Sequence, residues 1–99
     1  MDDSADGSST TKYKFILFVS GMSVKSSHAI ENLRKICDQY LTDNYELEII
    51  DISRDTEQAA IHQIVAIPTL VKIAPAPRRI ILGDLSDKQK VLKILNIQE

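Results

Sequence analysis

The stretch Ile67-Pro68-Thr69-Leu70-Val71-Lys72-Ile73 decides the fold, together with the corner Pro75-Ala76-Pro77-Arg78-Arg79 and the run Ile80-Ile81-Leu82-Gly83-Asp84-Leu85-Ser86 behind it. Two short apolar runs, each bounded by proline or glycine, have the pattern of buried strands joined as a hairpin. Pro68 must open its run, because proline has no N–H to give to a ladder and holds the preceding Ile67 extended. Lys72 is the lone charge in the first run, and Arg78 and Arg79 stand exposed where the second begins. Positive charge therefore gathers at one corner of a slightly acidic chain.

Upstream of the hairpin the pattern is strand, helix, strand. Within Tyr13 to Ser20, the residues Phe15, Ile16, Leu17, Phe18 and Val19 form a nearly continuous apolar run, as in the middle of a sheet. Gly21 ends it and Met22 to Lys25 form a loop. Ser26 or Ser27 can cap a helix whose apolar stripe is Ala29, Ile30, Leu33, Ile36, Cys37, Tyr40 and Leu41. After the turn at Asp43-Asn44, Tyr45 to Asp51 alternates: Tyr45, Leu47 and Ile49 share one face, and Glu46, Glu48 and Ile50 the other, which suits a half-exposed strand. Asp55 with Gln58 makes a capping box for a short helix carrying Ala59, Ala60, Ile61, Ile64 and Val65. Ser86 with Gln89 makes another, ahead of the stripe Val91, Leu92, Ile94 and Leu95. The order β-α-β-α-β-β-α defines an α/β, thioredoxin-like domain over residues 12–99. Residues 1–11, with Asp2, Asp3 and Asp6 and no apolar cluster, read as a disordered acidic tail.

Composition narrows the function. A chain of 99 residues with 43% hydrophobic and 26% charged residues has the balance of a soluble single domain. Its net charge of −2 gives no general attraction to nucleic acid or anionic lipid. No apolar run approaches the roughly 18 residues of a membrane helix, and the N-terminus lacks the basic and apolar regions of a secretory signal. One cysteine cannot make an internal disulfide, so a reducing cytoplasm is the expected compartment.

No catalytic, cofactor-binding or metal-binding set emerges. Thioredoxin chemistry needs a low-pKa thiolate just after the first strand and a second cysteine two residues on. Here that position reads Gly21-Met22-Ser23-Val24-Lys25-Ser26, and Cys37 lies on the apolar stripe of the helix, where cysteine behaves as a small hydrophobe. His28 and His62 fall on different helices without the clustered ligands that zinc requires. Ser26-Ser27-His28 reads as capping rather than a nucleophile with its base, since adjacent helical residues point apart. Asp51, Asp55 and Asp84 sit at element ends, and three scattered glycines make no phosphate loop. Lys72, Arg78 and Arg79 remain as a candidate partner-binding cluster, set against a plain solvated corner.

The order Ile-Pro-Thr-Leu, an apolar strand with a lysine, Pro-x-Pro, Arg-Arg and Gly-Asp-Leu-Ser resembles the KaiB family of the bacterial KaiB/KaiC system. The likeness is specific at Pro68 to Leu70, Lys72, Pro75, Pro77 and Gly83 to Ser86, and extends over about residues 13 to 95. It implies a non-enzymatic regulatory protein that docks on a KaiC-like ATPase ring through Lys72, Arg78 and Arg79, and that forms a homodimer or homotetramer. It also implies a C-terminal half that switches between two secondary-structure patterns, with Pro68, Gly83, Asp84 and Ser86 as pivot and the β-α-β start fixed. A crystal of the isolated protein is expected to hold the resting, oligomeric pattern. Departures from the family pattern, Gly21-Met22-Ser23-Val24-Lys25 after the first strand and Gln63 before Pro68, favour stress adaptation over a full circadian clock. The competing reading is a thioredoxin-fold redox protein with residual activity.

Overall fold

The computed structural model describes residues 12–21, 23–64 and 66–97. The sequence readings that fall on residues 1–11, on Met22, on Val65 and on Gln98 and Glu99 lie outside that set. Seven elements follow in the expected order: β1 (Tyr13–Val19), α1 (Val24–Tyr40), β2 (Tyr45–Asp51), α2 (Thr56–Ile61), β3 (Thr69–Ala74), β4 (Arg79–Leu82) and α3 (Lys88–Leu95). The arrangement after Asp51 is the thioredoxin-like one.

One four-stranded sheet has the order β2-β1-β3-β4. β2 runs parallel to β1, with Phe15 opposite Leu47 and Leu17 opposite Ile49, so the chain needs α1 as the crossover between them. β3 returns antiparallel to β1, with Phe15 opposite Lys72 and Leu17 opposite Leu70. β4 completes an antiparallel hairpin with Leu70 opposite Ile81 and Lys72 opposite Arg79. Because β1 and β3 are central, they are largely buried on both faces, whereas the edge strands β2 and β4 keep exposed residues.

Each face of the sheet has its own core. Phe15, Leu17, Val19, Leu70 and Ile81 pack with Leu33, Ile36 and Cys37 of α1 and with Val91, Leu92 and Leu95 of α3. On the opposite face Ile16, Phe18, Ile50 and Val71 are covered by Ile64 and Ile67 from the segment between α2 and β3, and the His62 ring lies 5.4 Å from that of Phe18. No helix among the described residues is long and apolar enough to cross a membrane.

Three helix boundaries differ from the sequence reading. The cap of α1 is Ser23, whose hydroxyl accepts from Ser26 N–H; Ser26 itself is buried inside the first turn and accepts from Ser20 N–H at 3.1 Å. Serines at 23, 26 and 27 all suit a cap by type, and the closeness of the β1 end selects the first. Likewise Asp87 rather than Ser86 caps α3, accepting from Lys90 N–H at 3.2 Å. Asp55 caps α2 as expected, but that helix stops at Ile61. Gln63 has φ +56°, which ends the helix and leaves Ile64 free to turn onto the sheet. Burial fixes one mutational contrast. Leu17→Ala, at a fully enclosed position of the central strand, is expected to cost about 2–5 kcal/mol in urea denaturation. Val24→Ala, 70% exposed, should stay within about 0.5 kcal/mol of wild type.

Candidate functional site

The β3–β4 turn, Pro75 to Arg78, projects at the end of the sheet where β1 begins, since Lys14 opposes Ala74. Proline at 75 and 77 keeps this turn from joining the ladder, so the chain leaves β3, rounds the corner and re-enters the sheet at Arg79. Arg78, Arg79 and Lys14 are all exposed there. Among the described residues neither arginine pairs with a carboxylate; the ion pair at this end is Lys12 with Glu46, 3.4 Å apart and solvent-exposed. Lys14 was not singled out from sequence. The antiparallel β1–β3 register sets it opposite Ala74, at the same end of the sheet as the turn.

Lys72 corrects the expected exposed cluster. It shares a face of the sheet with Phe15, Leu70 and Arg79, and that face lies under α3. The side chain is 2% exposed, and its Nζ donates to the Leu95 carbonyl at 3.4 Å. Leu95 is the last residue of α3, where helix carbonyls lack intrahelical partners. Tyr13 adds a second donor from β1, its hydroxyl 3.5 Å from the Asn96 carbonyl. The C-terminal end of α3 is therefore held to the sheet by donors from both central strands. Burial pushes the Lys72 amine below the ordinary lysine pKa, and the Arg79 guanidinium opposite lowers it further.

The expected pivot residues do meet. Gly83 N–H donates to the Pro68 carbonyl at 2.9 Å, joining the entry to β3 with the exit from β4, and the Ile67–Pro68 peptide is cis. Gly83 has φ +108°, a conformation that L side chains avoid. The Ser86 hydroxyl, and after it the Ser86 N–H that donates to Asp84 at 3.1 Å, hold the Asp84 carboxyl below the usual range. Asn32 of α1 donates to the Asp84 carbonyl at 2.8 Å. That tie was not legible in sequence, where Asn32 is one polar residue beside an apolar stripe.

At the other end of the sheet, the position that holds a thioredoxin's thiols is built from hydrogen bonds. Asp51 accepts from Gly21 N–H and from the Ser53 hydroxyl and N–H, contacts led by Ser53 that lower its pKa. Cys37 is fully enclosed on α1, and burial, aided by the Asp38 charge, pushes its thiol up to about 12. Among the described residues no group of His, Cys, Asp and Glu is placed to hold a metal.

The profile described as KaiB domain matches residues 16–97. The circadian clock protein KaiB3 of Synechocystis is 42% identical over 81 residues, which are 82% of this chain and 79% of that protein. The circadian clock oscillator protein KaiB of Trichodesmium erythraeum is 41% identical over 80 residues, 81% of this chain and 77% of its own. Among solved structures, the N-terminal domain of Synechococcus elongatus SasA superposes with a TM-score of 0.72 at 22% identity, over 97% of this chain and 94% of that one. Chloroplastic thioredoxin z does so with a TM-score of 0.72 at 15% identity, over 86% and 77%. At such identities the two structures share the fold with this chain, which bears out the thioredoxin-like reading.

Two predictions follow from these environments. Cys37 should resist a thiol-specific chromogenic disulfide in native protein and react at once in denaturant, as thiolate supply and access require. Lys72→Met should raise stability by about 1 kcal/mol in urea denaturation, because an apolar chain of similar length replaces a buried ammonium that no described carboxylate balances. The sign with pH is fixed: Lys72 has a lower pKa folded than its ordinary 10.5, so the cost of its charge is full below the folded value. The variant's advantage should shrink as pH rises from there towards 10.5.

Proposed function

The chain belongs to the KaiB family, and on that premise we propose that it is a non-catalytic regulatory protein that docks on a KaiC-like ATPase ring through its basic corner. The names of its relatives support a clock-associated regulatory role. The observation that carries the docking reading is the corner itself: Arg78 and Arg79 are exposed, unpaired among the described residues, and consecutive at the start of β4. Exposed unpaired charges of one sign steer encounter with an acidic surface. Lys72 contributes from beneath, by holding α3 against the sheet beside the corner, rather than by touching the partner.

Stress adaptation is the physiological setting we favour over a complete circadian oscillator, on the departures at Gly21 to Lys25 and at Gln63. A resting homodimer or homotetramer with a different pattern after Asp51 completes this reading. The Pro68–Gly83 bond and the Asp84–Ser86 turn are the contacts that would break between the two patterns, while the β1–α1–β2 unit persists. Only a few kcal/mol of differential binding are needed to choose between such states. Amide exchange on free and ring-bound protein tests this part, and a single protection pattern after Asp51 in both would end it.

Charge reversal tests the docking itself. Arg78→Glu with Arg79→Glu should slow association with the ring about tenfold or more at low salt and flatten its salt dependence, measured by surface-immobilised binding kinetics. Unchanged binding by the folded double variant would remove the corner from the interface.

A further inference from the structure

The two edges of the sheet are not equivalent. β2 carries exposed Glu46 and Glu48 along its length, the charged protection that keeps an open edge from pairing with other chains. β4 has no such protection beyond its first residue. Its sequence is Arg79-Ile80-Ile81-Leu82, and among the described residues its hydrogen-bonded neighbour is β3 alone, so no described strand bonds its outer ladder groups. Ile81 points into the core under α3, while the alternate pair Ile80 and Leu82 lies on the opposite face at 45% and 61% exposure. Two large aliphatic side chains at a spacing of two, beside an open ladder, form the surface that an added strand covers.

We propose that the outer edge of β4 receives an extended segment of the partner as a fifth strand. The alternate apolar side chains of that segment cover Ile80 and Leu82, and acidic residues at its end meet Arg78 and Arg79. The occupant is identified by charge: the exposed cations of the edge, unpaired among the described residues, are both at its start, and the rest of the strand is aliphatic. A basic segment would be repelled there, and a second β4 would bring its own arginines to the same edge. This inference rests on the docking reading above and adds its mode, in which main-chain bonds give affinity while the arginines and the aliphatic pair select the sequence.

The probe is a synthetic peptide, Asp-Asp-Val-Thr-Val-Thr-Val-Asp-Asp, titrated into the full-length protein with backbone amides followed by NMR and hydrogen exchange. Binding at concentrations up to about 1 mM, the weak range for a short isolated strand, should shift the β4 amides and slow their exchange at least tenfold. The β2 edge amides should not move. Replacing the aspartates by lysines, or the threonines by prolines that cannot pair, should abolish binding. Leu82→Thr, which keeps strand propensity at an exposed site, should weaken it about fivefold or more. Absence of binding, equal binding of the lysine peptide, or protection at β2 in place of β4 would overturn the proposal. The ring complex separates the two readings. If the complex forms and depends on Arg78 and Arg79 but leaves β4 amides as fast as in free protein, strand addition is wrong and docking stands. If no complex forms while the peptide protects β4, the edge stands and the ring is the wrong partner.

Discussion

Burial of β1 on both faces is the constraint from which the rest of the structure follows. Phe15, Leu17 and Val19 point one way and Ile16 and Phe18 the other, and all five are removed from solvent. A strand of this kind needs a neighbour on each side and cover above and below. β2 supplies one neighbour, reached in parallel through α1, and β3 supplies the other by antiparallel return. α1 and α3 cover one face; the turn after α2, with Ile64 and Ile67, covers the other. The fold is thus a solution to one strand's hydrophobic demand, and the same solution leaves β4 as an edge.

In this thioredoxin-like frame the stretch after β1, Gly21 to Ser26, holds no cysteine. Where a redox member keeps its cysteines, this chain spends its local polar groups on itself, with Asp51 binding Gly21 and Ser53 and Ser26 binding Ser20. The lone thiol lies inside the core, where it stays protonated at neutral pH. Exposed cationic and aliphatic side chains stand at the opposite end and edge of the sheet, in Arg78, Arg79 and the Ile80–Leu82 pair. Lys72, held beneath that corner by a long hydrogen bond to Leu95, the one such partner among the described residues, adds a point of energetic compromise, since its ammonium gives up water for a carbonyl.

Local rules carried the element order. The apolar run of β1, the stripe of α1 from Ala29 to Leu41, the alternation of β2 and the Asp55 cap each depend on residues within a turn or two of one another, and periodicity reads such information directly. The same rules were weaker at ends. Ser23, Ser26 and Ser27 compete for one cap, and Ser86 competes with Asp87 for another; each side chain suits the role by type. The choice was made by what else lay within reach, such as the Ser20 N–H that claims Ser26.

By itself the sequence determined that this chain makes a mixed α/β domain with Pro68 at a strand entry, a buried cysteine, no thiol pair after β1, and a cationic corner at Arg78 and Arg79. Tertiary structure alone decided that Lys72 lies under α3 with its amine on Leu95, and that Ile80 and Leu82 face outward on an edge strand. The reason is physical. Strand alternation says that Ile81 and Ile80 point oppositely, and only the sheet order says which of those directions is core. A charge in an apolar strand says that something must solvate it, and only the packing of a helix end against that strand says that a backbone carbonyl does so.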